Sequence, residues 1–180
     1  AESADLYRRA LDLHPDSELA RYFAATVGVD CAPGQSPEIY IKELFDSYSG
    51  RFTKHLVDTL QYRTPAIIAG TLDELLGTKS GQASVLDLGC GTGLVGLAIR
   101  GAVARLAGID LSERMIEQAA QSGAYDELHV AEIGAFLSAD RGAYDIIVAA
   151  DVFIYIGDLQ HLFQNTARRL EAKEHLPVAT

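Results

Sequence analysis

The stretch Val85–Asp110, VLDLGCGTGLVGLAIRGAVARLAGID, decides the fold. An apolar run, a glycine loop, a short helical pattern and a second apolar run ending on an acid read as strand, turn, helix and strand. Gly91, Gly93 and Gly96 satisfy the G-x-G-x-x-G pattern of a dinucleotide-binding turn, and Asp110 stands near the expected acid ~20 residues downstream. That match alone is weak. Asp87, at the carboxyl end of the first run, breaks the tie, because a carboxylate there repels a diphosphate.

Outward from this stretch the same rhythm continues. Strands are expected at Ser84–Leu88, Arg105–Ile109, Leu128–Ala131 and Tyr144–Ala150, and helices at Leu94–Arg100, Ser112–Gln121 and Asp158–Leu170. Strands alternating with helices argue for a parallel sheet, and the unbroken run YDIIVAA suits a strand covered on both faces. Upstream, the chain is helical in pattern. ADLYRRALDLHPDSELARYFAA reads as two short helices over 1–28, with HPDS as breaker and cap. Residues 29–37, VDCAPGQSP, form a turn-rich boundary. Residues 37–77 then read as a helical cap, with Gly50 separating two helices, Thr64 as an N-cap, Pro65 at the first helical position and Gly77 past the end. Residues 78–180 form the α/β unit.

Composition sets the classes that remain. The 180 residues carry 15 Lys and Arg against 25 Asp and Glu, a net charge of −10, which opposes nucleic acid and anionic membranes as partners. No apolar run approaches the ~20 residues of a membrane span. Cys31 and Cys90 show no metal-type spacing, so no metal site is expected and a reducing cytoplasm fits. The only methionine is Met115, so a segment before Ala1 is expected.

The acid before the loop suits a ligand carrying an ammonium and a sulfonium, as S-adenosylmethionine does. Gly89, Gly91 and Gly93 let the backbone approach such a ligand, and Asp110 can accept from both hydroxyls of a ribose. Met115 presents a polarisable face to adenine, and Glu132 an acceptor for its amine. Asp151 is delivered by the fourth strand to the same sheet edge. The competing readings are structural: Asp110 as a helix cap, for which Ser112 is the rival, Glu132 as a surface acid and Met115 as core.

VLDLGCGTG followed by GID and then by YDIIVAADVF resembles the ordered motifs of class I S-adenosylmethionine-dependent methyltransferases. The resemblance implies a Rossmann-like three-layer sandwich with parallel strand order 3-2-1-4 for the part present and an all-helical N-terminal extension. It implies S-adenosylmethionine as cofactor and S-adenosylhomocysteine as product. The cofactor-contacting set it implies is Asp87, Gly89, Cys90, Gly91, Gly93, Asp110, Leu111, Met115, Glu132, Ile133 and Asp151. The stretch YIKELFDSYSGRFTKHLVDTLQYRTP further resembles a bacterial subgroup that couples tetratricopeptide repeats to such a domain, and residues 1–28 resemble part of one repeat. The family sheet has seven strands, so later strands are expected to be missing here. An unpaired fourth-strand edge then makes self-association an expectation.

Methyl transfer from a sulfonium needs alignment more than acid–base help. If a proton must leave, the candidates are Asp151, Tyr155, His55 and His161. The fourth strand lacks the Asn-Pro-Pro-Tyr type clamp of amide and adenine methylases, and no Asp/Asn cluster suggests magnesium. Tyr40, Tyr48, Phe52, Tyr62 and Arg63 are placed to cap the cofactor. A small-molecule acceptor is favoured, with a protein acceptor or partner kept open by the repeat-like segment. Two other classes stay open: a non-catalytic cofactor-binding or scaffold protein, and a nucleotide-dependent oxidoreductase, against which Asp87 argues.

Overall fold

The computed structural model describes residues 2–29, 37–139 and 142–171. Four strands, β1 (Ser84–Leu88), β2 (Arg105–Asp110), β3 (Glu127–Val130) and β4 (Ile146–Ala149), form one parallel sheet in the order β3-β2-β1-β4. The helices are α1 (Glu2–Leu13), α2 (Glu18–Thr26), α3 (Glu38–Lys54), α4 (Thr64–Leu76), α5 (Leu94–Ile99), α6 (Glu113–Ser122), α7 (Ile133–Ala139) and α8 (Leu159–Glu171).

Strand alternation sorts the core into two faces. Val85, Leu106, Ile146 and Val148 point to the side covered by α4 and α5, where they meet Leu72, Val95 and Ile99. Their neighbours Leu86, Leu88, Ala107, Ile109, Ile147 and Ala149 point to the other side, against Ile133 and Leu137 of α7 and Leu162 of α8. Both faces are buried at β1 and β2, so these strands read as continuous apolar runs, whereas β4 is half-buried and β3 is exposed at both ends. Leu88 pairs with Ile109 and Ala149, and Asp110 with Val130. This register brings the residues following all four strands to one edge of the sheet, where open α/β sheets bind ligands.

Several boundaries differ from expectation. α3 runs unbroken through Gly50, and a π-helical turn over His55–Thr59 continues it. A mid-helix glycine costs only ~1 kcal/mol, and contacts of α3 with the sheet unit outweigh it. Thr64 is the first helical residue rather than the cap, which is Arg63, so Pro65 takes the second position, while Gly77 stands past the end as expected. β4 is shorter than YDIIVAA suggests: Asp145 reaches Ser84 and Tyr144 reaches the Arg169 carbonyl, outside the regular ladder. The seven-residue α7 was not foreseen at all. The expected boundary at residues 30–36, Cys31 included, and any strand beyond residue 171 lie outside the described residues.

α1 and α2 pack through Tyr7 stacked on Phe23, and Tyr22 and Phe23 both abut Tyr40 of α3. The N-terminal pair is thereby joined to the helix that covers the sheet edge. Among the described residues no helix is long and apolar enough to cross a membrane, and no cluster of three or more His, Cys, Asp or Glu is placed to hold a metal.

Candidate functional site

A cleft of about 310 Å³ opens at the carboxyl edge of the sheet, between the glycine loop and α3. Gly89, Gly91 and Gly93 all take positive φ, at 68°, 55° and 89°. A side chain at Gly89 would drive into Val152, 2.7 Å from where a Cβ would stand, so the loop can follow this path only with glycine. The loop closes onto the sheet through Cys90, whose N–H donates to the Ile109 carbonyl.

Asp110 ends β2 and faces the cleft. Its Oδ1 accepts from the Ser112 N–H at 2.9 Å and its Oδ2 from the Gly91 N–H at 2.9 Å. Burial pushes its carboxyl upward and these backbone bonds oppose the shift. Two carboxylate oxygens have about four lone-pair directions, so two remain for a diol. The cap of α6 is Ser112, whose hydroxyl oxygen accepts from the Met115 N–H. Met115 is buried and still lines the cleft. Glu132 caps the unforeseen α7, accepting from the Gly134 and Ala135 N–H groups at 2.8 and 2.6 Å.

Of the expected cofactor-contacting residues, Gly89, Cys90, Gly91, Asp110, Leu111, Met115, Glu132, Ile133 and Asp151 line the cleft. Asp87 and Gly93 do not. Asp87 lies inside β1, one residue short of its end, and is wholly buried with its Oδ2 held by the Tyr125 hydroxyl. The charge argument therefore passes to other acids: Glu38, Asp110, Glu132 and Asp151 line the cleft, with no Lys, Arg or His among its described lining residues. Burial first, then Asp87 and Asp110, push the Cys90 thiol up, which disfavours its thiolate.

Sequence reasoning missed Tyr125, in the turn before β3. Its ring occupies the space a Cβ would take at Gly96 and stands 2.8 Å from one at Gly108. Its hydroxyl donates to Asp87 Oδ2 at 2.7 Å and accepts from the Gly96 N–H at 3.1 Å. The third glycine of the fingerprint thus serves an aromatic ring inside the protein. Only the coincidence of Gly96 and Gly108 on adjacent elements could have signalled it.

The cap over the cleft comes from α3. Asp46 accepts from the Ser112 hydroxyl, and Thr53 bonds Thr92 of the glycine loop at 2.7 Å. Phe52 lines the cleft beside Gly91, whereas Tyr48 packs behind it on Phe52 and His55. His55 does not line the cleft, nor does His161, which lies on α8 beside Asn165. Asp151 and Tyr155 do. Asp151 holds φ at 55°, uncommon for a residue with a side chain, and its Oδ2 accepts from the Tyr62 hydroxyl at 2.6 Å.

Residues 85–173 match the family model described as a methyltransferase domain. The chain is 35% identical over 94 residues to human methyltransferase-like protein 27, covering 51% of this chain and 38% of that protein. It is 30% identical over 111 residues to the human tRNA (uracil-5-)-methyltransferase homolog B, covering 58% of this chain and 22% of that protein. The chain thus spans well under half the length of these curated relatives. Among solved structures, the magnesium protoporphyrin IX methyltransferase of Synechocystis PCC 6803 with bound S-adenosylhomocysteine shares the fold. Its TM-score is 0.59 at 17% identity, covering 72% of this chain and 66% of that one. An S-adenosylmethionine-dependent methyltransferase of Clostridium acetobutylicum ATCC 824 does so with a TM-score of 0.55 at 19% identity, covering 67% and 52%. Strand order, glycine loop and family match agree: residues 85–173 match a methyltransferase domain, on the Rossmann-like α/β fold that these solved structures share.

Proposed function

We propose that the protein is an S-adenosylmethionine-dependent methyltransferase acting on a small molecule. The observation that carries this reading is the convergence of the glycine loop, Asp110 and Asp151 on one cleft whose charged lining is wholly acidic. Such a lining fits a ligand with ammonium and sulfonium groups and opposes the diphosphate of a nicotinamide dinucleotide. When bound, S-adenosylmethionine supplies an electrophilic methyl with a good leaving group.

The chain's own residues hold and orient. The remaining lone pairs of Asp110 accept the ribose hydroxyls, Leu111, Met115 and Ile133 flank the base, and the free capacity of Glu132 accepts its amine. Phe52 and Tyr155 exclude water from the reacting end. Asp151 accepts a proton where the acceptor must lose one. The helical pair α1–α2 serves as a repeat-like extension on the cap, a further part of the same proposal.

Calorimetric titration tests this reading. S-adenosylmethionine and S-adenosylhomocysteine should bind one per chain, and NAD should not compete. Replacing Asp110 by Ala removes charge-assisted bonds worth ~1.5–3 kcal/mol each, so affinity should fall tenfold or more. Competition by NAD, or equal affinity in that variant, would refute it.

A further inference from the structure

The half of the cleft toward β4 has a composition of its own. Phe45, Phe52 and Tyr155 meet edge to face, with centroids 5.9 Å apart for Phe45 and Phe52 and 5.4 Å for Phe45 and Tyr155. This makes a fixed apolar corner. Leu56 and Ile156 extend it. Asp151 lines the cleft on this side, and its charge acts on the Tyr155 hydroxyl.

Asp151 is held in a particular way. Its backbone is left-handed, and its Oδ2 takes the Tyr62 proton. Burial first, then the bond to Asp151, pushes the Tyr62 hydroxyl up to about 12, so Tyr62 keeps its proton and remains a donor. Asp151 Oδ1 has no protein partner among the described residues. A free carboxylate oxygen beside an aromatic corner accepts an N–H and favours a cation.

Resting on the methyltransferase reading above, we propose that the acceptor is an amine carried on an apolar, ring-sized body. The bound ammonium first gives one proton to Asp151, which passes it to water, and this frees the nitrogen lone pair. That pair forms the new N–C bond as the S–C bond breaks, and the S–C electron pair remains on sulfur as a thioether. Positive charge moves from sulfur to nitrogen, and the product leaves as the methylated ammonium. Asp151 and the ring faces stabilise the charge that develops on nitrogen. The alternative, an oxygen nucleophile, must acquire negative charge beside Asp151, and an acceptor carrying a carboxylate must bring a second anion there.

The test uses the S-adenosylhomocysteine-loaded chain and three probes of similar size, 2-phenylethylamine, 2-phenylethanol and phenylacetate, with binding read by ligand-observed NMR. The amine should bind at least tenfold more tightly than phenylacetate and more tightly than the alcohol. Asp151→Asn should cut the amine-to-carboxylate ratio at least threefold, and phenylethylamine with labelled S-adenosylmethionine should acquire label on nitrogen. Equal or tighter binding of phenylacetate or of the alcohol, no binding of any probe to the loaded chain, an unchanged ratio in the variant, or no label on nitrogen would overturn the amine assignment while leaving cofactor binding intact. Failure of S-adenosylhomocysteine to bind at all would instead overturn the reading beneath it.

Discussion

Replacing Tyr125 by Phe should destabilise the protein much more at pH 8 than at pH 5. The ring stays in its glycine-lined space, so packing against Gly96 and Gly108 is kept and only the hydroxyl is lost. Asp87 is fully buried, its Oδ1 has no partner, and its Oδ2 depends on Tyr125. Burial pushes its pKa from 3.8 to about 7, with the Tyr125 bond opposing the rise and the Asp110 charge adding to it. Between those two values the folded protein holds a proton that the unfolded chain has lost, so stability falls as pH rises through this window. The full fall is about 4 kcal/mol at ~1.4 kcal/mol per unit.

Below pH 5 the variant loses a neutral hydrogen bond, ~1 kcal/mol. Above pH 7 it loses one to a buried carboxylate, ~1.5–3 kcal/mol, while the loss of the Gly96 acceptor is the same at both pH values. For a chain of this length each kcal/mol moves Tm by ~2–4 °C. Melting curves at pH 5 and pH 8 should therefore show a clearly larger drop at pH 8. In an Asp87→Asn background the pH-dependent part should vanish, because an amide does not ionise. Equal drops at both pH values in the otherwise unaltered protein would refute the account of Asp87.

Gly108→Ala would place a methyl 2.8 Å from the Tyr125 ring and 3.0 Å from Leu128, and overpacking of this kind costs ~1–3 kcal/mol, measurable by urea unfolding. Ser112→Ala removes the cap of α6 and the tie to Asp46 together, so stability should drop by ~1–2 kcal/mol and α3 should become more open to proteolysis. Arg100 bonds the carbonyls of Val103, Ala104 and Ala124 and the Asp126 carboxylate; Arg100→Ala should cost ~1–2 kcal/mol with cofactor affinity unchanged in calorimetry.

β1, β2 and the glycine loop were legible because VLDLG and RLAGID are apolar runs bounded by turn residues, and α6 because Ser112 caps it three residues before Met115. Most of the cleft followed, since register alone brings Asp110, Glu132 and Asp151 to one edge. Asp87 does not line the cleft for a physical reason: it stands inside the strand, wholly buried and held by Tyr125, although its nearness in sequence to the loop suggested the cleft. Tyr125 was invisible because its meaning lies in two glycines, Gly96 and Gly108, that come together only in the fold. α7 escaped because IGAFLSA is too short for a helical period to register and its N-terminus is held by the Glu132 side chain. Gly50 misled because local propensity is weak against the contacts that α3 makes with α6.

The most direct test of the central claim is a crystal structure of the chain grown with S-adenosylhomocysteine. The account predicts the ribose hydroxyls on Asp110, the adenine between Met115 and Ile133, and the sulfur turned toward Asp151 and Tyr155 beneath Phe52. A ligand bound elsewhere, or one in this cleft that leaves Asp110 without a ribose contact, would contradict it.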